Sequence, residues 1–187
     1  MKSVVVFESM YGNTHAIAEQ IAAGLETVGS VVIGNPTQVV PSTAADADLI
    51  VVGGPTHIHG MTSTASRRAA ADTATKDPDV DLDPDLDAEG LSVGLRDWFD
   101  DLPDGRGRTG AAFDTRLDKP AVFTGSAAKG IAKRLRRHHL DAIAEAESFL
   151  VGDTAGPLLP GEAERARQWG EELARRLQNR SGPTRRK

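Results

Sequence analysis

The sequence predicts a three-layer α/β fold, a parallel sheet wrapped by helices on both faces, and three observations predict it. Short apolar runs dominated by β-branched residues, Val4–Phe7 and Leu49–Gly54 above all, read as strands buried on both sides. Between them lie stretches whose apolar positions recur at three and four, as in Ile17, Ile21 and Leu25. The two patterns alternate along the chain, and strands alternating with helices imply a parallel sheet covered on both faces.

Val4–Phe7 is the first strand, and a helix follows from Thr14 to about Val28. SVVIG at 30–34 is a weaker strand, and LIVVGG at 49–54 a strong one. Helical patterns run over Ser63–Ala74 and Leu91–Leu102. GAAFD at 110–114 reads as a strand, with PAVF at 120–123 a further candidate. The spacing of Ile131 and Leu135 predicts a helix over Ser126–His138. SFLVGD at 148–153 is the last strand, and Glu162–Asn179 the last helix. No internal repeat is present.

The segment Lys76–Gly90, KDPDVDLDPDLDAEG, differs from its surroundings, with aspartate at 77, 79, 81, 83, 85 and 87. A calcium loop of the EF-hand kind needs glycine at its sixth place and glutamate at its twelfth. Counting from Asp77 gives Leu82 and Ala88, and counting from Asp79 gives Pro84 and Gly90, so the spacing fails. With two prolines and its own repulsion the segment reads as a solvated insertion. The expected organisation is one domain over residues 1–179, interrupted by this acidic insertion at about 76–90 and followed by a flexible tail at 180–187.

A chain of 187 residues without a single cysteine has no disulfide, thiolate metal site or cysteine nucleophile, so redox chemistry would need a bound cofactor. No apolar run approaches the roughly 18–20 residues of a membrane span, and MKSVVVFESM lacks the features of a secretion signal, so a soluble, cytoplasmic protein is expected. The net charge of −5 argues against nucleic acid as a partner. One run is basic: KGIAKRLRRHH (Lys129–His139) puts Lys129, Lys133, Arg136 and Arg137 near one helix face. It reads as a solvated face, as a docking surface for an acidic partner, or as a contact to a phosphate-bearing cofactor.

The stretch ESMYGNTH (Glu8–His15) lies between the first strand and the first helix. Such a loop gathers unpaired backbone N–H groups and the positive end of the helix dipole at one point, which suits an anion. Ser9 and Thr14 offer hydroxyls, Asn13 an amide, and Gly12 removes the side chain where the backbone turns sharply or meets a ligand. The loop lacks both the Gly-Lys-Ser/Thr of a P-loop and three spaced glycines, so it suits a single phosphomonoester. Helix capping by Asn13 or Thr14 with no ligand is the alternative.

Two more loops leave strands at their carboxyl ends, where ligands of doubly wound sheets gather. In GGPTHIHGMT (Gly53–Thr62), Pro55 stiffens the exit, Thr56 and His57 can hydrogen-bond a ring, and Ile58 and Met61 can supply apolar contact. His57 and His59 are alternatively a metal pair, although side chains two apart in extended chain point opposite ways, or the segment is a structural turn. AAFDTRLDKP (Ala111–Pro120) holds the third position. In FTGSAAKG (Phe123–Gly130), Ser126 could approach the site or cap a helix.

Ser9-Met-Tyr-Gly-Asn-Thr14 after a hydrophobic strand resembles the phosphate loop of the flavodoxin-like family, usually Ser/Thr-x-Thr-Gly-x-Thr. Tyr11 in place of the central threonine is similar to the FMN-dependent quinone reductases of the tryptophan-repressor-binding-protein type. Gly53–Thr62 resembles the family's Gly-x-Pro-Thr loop bordering the flavin ring. The resemblance implies a flavodoxin-like five-stranded parallel sheet in order 2-1-3-4-5 with FMN bound non-covalently. Its implied cofactor-binding residues are Ser9, Met10, Tyr11, Gly12, Asn13, Thr14, Pro55, Thr56, His57, Ile58, His59, Gly60, Asp114, Thr115 and Arg116. Thr115 and Arg116 would meet the pyrimidine edge, where a cation stabilises the reduced ring; alternatively Asp114 pairs with Arg116 and Arg116 faces solvent. No metal is expected.

The resemblance implies electron transfer, or an FMN-dependent oxidoreductase working between a nicotinamide or protein donor and a quinone-like or porphyrinogen-like acceptor, with His57 a candidate proton relay. Carriers of this family are acidic around the flavin and stack tryptophan or tyrosine on it. Here the negative charge reads as a remote insertion, and Trp98 and Trp169 fall in helices, which favours the enzyme. The expected partners are a redox protein, or NAD(P)H with a small-molecule acceptor; a homo-oligomer is compatible with both. The alternative function is a flavin-free interaction module docking a partner through the basic helix at 129–139.

Overall fold

β1 (Lys2–Phe7) is apolar at four consecutive positions because the sheet has two faces to bury. Val5 and Phe7 enter the core on one face, and Val4 and Val6 the core on the other. The structure, a computed structural model, describes residues 1–57, 60–76, 80–84, 86 and 91–181. After β1 come α1 (Asn13–Leu25), β2 (Ser30–Gly34), α2 (Pro41–Ala44), β3 (Leu49–His57), β4 (Gly60–Met61), α3 (Thr64–Lys76), α4 (Leu95–Asp100), β5 (Thr109–Leu117), α5 (Ala121–Thr124), α6 (Ala127–Arg137), β6 (Asp141–Ala142), β7 (Glu147–Val151) and α7 (Glu162–Ser181).

The sheet runs β2-β1-β3-β5, all parallel, and its last place is shared by β6 on the start of β5 and β7 on its end. Counting β6 and β7 as one interrupted strand, the order is the expected 2-1-3-4-5. One correction concerns direction: β4 pairs antiparallel with the end of β3, Thr56 opposite Met61 and His57 opposite Gly60, so the sheet is not purely parallel.

One layer holds α1 and α7 over Phe7, Val51, Phe113 and Phe149; the other holds α4 and α6 over Val6, Ile50 and Val52. In the first layer two glycines face each other's backbone: a Cβ on Gly24 would collide with the Arg167 carbonyl, and one on Gly170 with the Ile21 carbonyl. Small residues here let the helix axes approach more closely than side chains would permit.

Four sequence expectations are corrected. PAVF at 120–123 is not a strand: Phe123 N–H donates to the Pro120 carbonyl at 2.9 Å and the segment coils into α5, with Val122 and Phe123 exposed. The helix expected over Leu91–Leu102 is interrupted: Leu91 and Ser92 are helical, Val93 and Gly94 are not, and α4 runs from Leu95 to Asp100. The acidic insertion is not uniformly solvated, because Asp83 is 3 % exposed. Its N–H donates to the Met10 carbonyl at 2.9 Å and its carboxylate hydrogen-bonds His15 at 3.1 Å, against the very loop from which it seemed remote in sequence. Asp77, Asp79, Asp85 and Asp87 lie outside the described residues. Finally, Arg180 and Ser181, expected in the tail, continue α7, and Arg180 donates to Asp141 at 2.8 Å; residues 182–187 lie outside the described residues.

Candidate functional site

β3 and β5 are longer than β1 and continue pairing beyond it, Gly54 to Asp114 and Pro55 to Thr115. Their carboxyl ends and the start of α1 therefore surround one space, a cavity of about 620 Å³. That size lies within the range of about 300–1,000 Å³ for small-molecule sites.

The first wall is the turn from β1 into α1. Gly12 holds φ +83°, a conformation that side chains resist, and a Cβ there would meet no atom within 4 Å, so glycine is needed for the turn and not for room. Ser9 Oγ accepts from the Gly12 N–H at 3.1 Å. Among the described residues no side chain caps α1, so the alternative of a cap by Asn13 or Thr14 is not realised. Asn13 instead donates to the Ala155 carbonyl at 3.2 Å, tying the loop after β7 to this turn. Thr14 Oγ1 shares a 2.7 Å hydrogen bond with Thr115 Oγ1, joining the first and third predicted loops. Burial pushes the Tyr11 phenol above its ordinary value, which keeps it a neutral donor.

Beneath the second and third loops lies Asp114, fully buried. Its Oδ2 accepts from Thr56 Oγ1 at 2.9 Å, Ser126 Oγ at 2.7 Å and the Ala128 N–H at 2.9 Å. The Ala127 N–H in turn donates to Thr56 Oγ1 at 2.8 Å. Asp114 thus braces the rim from below and does not pair with Arg116. Ser126 is the N-cap of α6, accepting from the Lys129 N–H at 3.3 Å. Arg116 reaches the carbonyls of Leu117, at 3.3 Å, and Lys119 through Nη1. Its Nε is a buried donor without a hydrogen-bond partner among the described residues.

Of the predicted cofactor residues, Ser9, Met10, Tyr11, Asn13, Thr14, Pro55, Thr56, His57, Thr115 and Arg116 line the cavity. Gly12, Gly60 and Asp114 do not: Gly12 shapes the turn, Gly60 pairs with His57 in the antiparallel extension, and Asp114 is sealed below the surface. Ile58 and His59 lie outside the described residues. Sequence reasoning missed the wall made by α3, where Ser66, Ala69, Ala70 and Thr73 face the cavity. Their three-and-four spacing of small and hydroxyl residues was the available signal. Lys119 and Phe123, within segments the sequence pointed to but not singled out there, and Thr154 also line the cavity.

α3 is held by a buried ion pair. Arg67, 1 % exposed, meets Glu8 at 3.5 Å and donates to the carbonyls of Leu91 at 3.2 Å and Ser92 at 3.0 Å. Glu8 accepts from Thr62 Oγ1 and, at 3.0 Å, from the Leu95 N–H that opens α4. Among the described residues the cavity is lined by hydroxyls, two cations and the start of a helix but by no carboxylate, a donor-rich surface suited to an anionic ligand with ring acceptors. The open turn at Gly12 and the two cations in the wall, Arg116 and Lys119, fit a phosphate-bearing flavin.

No protein-family model matches the sequence, and no curated protein is similar enough in sequence to be counted a relative. Solved structures do match. A flavodoxin from the domain Archaea is 21 % identical over 95 % of this chain and 99 % of its own, with a TM-score of 0.62. A Streptococcus pneumonia flavodoxin is 19 % identical over 94 % and 99 %, also at 0.62. A WrbA-like flavodoxin from Agrobacterium tumefaciens is 18 % identical over 95 % and 98 %, at 0.59. Agreement in element order and sheet topology along nearly the whole length of both chains means that this chain has the flavodoxin-like fold.

Proposed function

We propose that the protein binds FMN and passes electrons through it, as an oxidoreductase working between a nicotinamide or protein donor and a quinone-like acceptor. The observation that carries this reading is the convergence of three loops, 9–14, 55–57 and 115–117, on one cavity at the carboxyl ends of the strands that no carboxylate lines among the described residues. When bound, the flavin supplies the electron-transfer chemistry, and the protein's own residues position it. The first turn of α1 and the hydroxyls of Ser9 and Thr14 hold the phosphate. Arg116, a cation in the cavity wall, lies at the pyrimidine edge and favours negative charge there. His57, at the rim where β3 meets β4, carries a proton between ring and solvent. Tyr11 and Phe123 offer aromatic surface at the mouth, a place that neither tryptophan reaches: Trp98 is buried beside Val39, and Trp169 packs on Phe113 and Phe149.

The test compares FMN with riboflavin, which lacks only the phosphate. Thr14→Val should weaken FMN by roughly tenfold or more while leaving riboflavin nearly unchanged, since one hydrogen bond to a charged group is removed. Equal losses for both ligands would show that the loop does not hold phosphate, and failure of the wild-type protein to take up either flavin would sink the reading. Rapid bleaching of the bound flavin by NADH or NADPH, followed by turnover with a quinone, identifies the nicotinamide version; reduction only by a protein identifies the other.

A further inference from the structure

Residues 116–139 carry seven lysines and arginines and a single acid, Asp118, in a chain whose net charge is −5. Along α6, Lys129, Lys133, Arg136 and Arg137 fall at steps of three and four, all exposed, while Ile131 and Leu135 turn into the core. Lys129 and Arg137 are eight helical rises apart, so this stripe is about 12 Å long. Among the described residues none of these four forms a salt bridge, whereas Arg134 is engaged over the Phe99 ring at 5.9 Å. Glu145 lies across a groove from Lys129 and Arg136, and Asp104 meets His139 at 3.2 Å just beyond the end of the stripe.

The stripe starts at the cavity, because the Ala127 N–H at the head of α6 bonds Thr56 on the rim. Between the stripe and the cavity mouth stand Val122, 78 % exposed, and Phe123, 71 % exposed, with Phe123 and Lys119 lining the cavity itself. Two large apolar side chains are left in water beside an array of uncompensated cations. Protein interfaces have this composition, an apolar anchor with a charged border that steers the approach.

We propose that α5 and the outer face of α6 form the docking surface for an acidic redox protein, seated over the cavity mouth with Val122 and Phe123 in its contact and its carboxylates along Lys129, Lys133, Arg136 and Arg137. This rests on the flavin reading for its purpose, since a partner placed here sits against the cavity where electrons would be exchanged. The cations of α6 form a compact basic stretch in a chain that is negative overall. A compact partner with a local acidic patch meets that stretch alone, whereas a long polyanion would also meet the negative remainder.

The experiment titrates the full chain, with and without FMN, against a plant-type two-iron ferredoxin as acidic probe and cytochrome c as basic probe, at low and at physiological salt. The proposal expects ferredoxin to bind at low salt, to weaken about tenfold or more at the higher salt, and to be preferred over cytochrome c. Lys133→Glu with Arg137→Glu should weaken ferredoxin by a further tenfold or so, and Val122→Ser severalfold, with FMN affinity unchanged in every case, because none of these three residues lines the cavity. Absence of ferredoxin binding, preference for cytochrome c, or indifference to charge reversal overturns the proposal. So does retention on anionic vesicles or single-stranded DNA that the double variant abolishes while ferredoxin fails to bind, and so does a change in oligomeric state, which would make a second copy the occupant. Ferredoxin binding without FMN uptake leaves the docking surface standing and removes the flavin reading; FMN uptake without ferredoxin binding does the reverse.

Discussion

Asp114 accepts three hydrogen bonds on one oxygen in a fully buried position, and the donors come from two elements: Thr56 on β3, and Ser126 and Ala128 at the head of α6. Asp114→Ala leaves all three donors without a partner and should cost roughly 2–4 kcal/mol, whereas Asp114→Asn keeps an oxygen for them and should cost less than half as much. Urea unfolding of the two variants measures the difference, and equal losses would show that the charge matters and not the acceptor. A second residue-scale device is the Glu8–Arg67 pair, both partners almost without solvent contact. Arg67 also lies 3.7 Å from Asp97, whereas Glu8 has Arg67 as its ion-pair partner among the described residues. Arg67→Ala therefore leaves a buried carboxylate without its cation and is expected to destabilise by about 3–5 kcal/mol. Because Arg67 fixes the helix that walls the cavity, the same variant should also weaken FMN, read by titration in conditions where the protein remains folded.

At the scale of elements, α7 seals one face of the sheet, and two features hold it. The facing glycines Gly24 and Gly170 permit backbone contact with α1, so Gly170→Ala should cost about 1–3 kcal/mol by overpacking against a carbonyl that cannot swing away. At the head of the helix, Glu162 accepts from the Leu150 N–H at 2.7 Å and from Arg165 at 2.6 Å, and Arg165 also reaches Glu147. Burial, the largest single influence, works to raise the Glu162 carboxyl, but the Arg165 hydrogen bond, the Leu150 N–H and the Arg165 charge together hold it below the ordinary 4.5. A carboxyl held low in the folded state favours folding above its ordinary value, and that contribution disappears as pH falls from 4.5 through the folded value. Thermal melts between neutrality and pH of about 3 should therefore show a stability loss in acid that is smaller in Glu162→Gln, a variant already weakened at neutral pH.

For the whole molecule, the cavity joins loops from β1, β3 and β5, the wall of α3 and the segment after β7, so a ligand filling it contacts several elements at once. Saturating FMN should raise the unfolding free energy by about 2.7 kcal/mol at a hundredfold excess over its dissociation constant, following mass action. Riboflavin at the same concentration should do less, and Thr14→Val should bring FMN down towards riboflavin. Differential scanning calorimetry across the four combinations checks this.

The two-sided apolar runs at Val4–Phe7 and Leu49–Val52 and the three-and-four spacing along α1, α6 and α7 were legible in sequence because burial in a three-layer fold demands those periods. The polar turn at 9–14 was legible for the same local reason, as a strand end and a helix start both need its small and hydroxyl side chains. PAVF at 120–123 carried a strand's composition, but strand pairing is a long-range property, and a proline-led turn at the sheet edge coils instead. Asp83 looked like one of six solvated aspartates until the chain folded it against His15 and Met10. The helical wall of Ser66, Ala70 and Thr73, the bracing by Asp114 and the Glu8–Arg67 pair all join residues tens of positions apart. Local pattern records what each segment can bury; which distant segments share a cavity is set by packing.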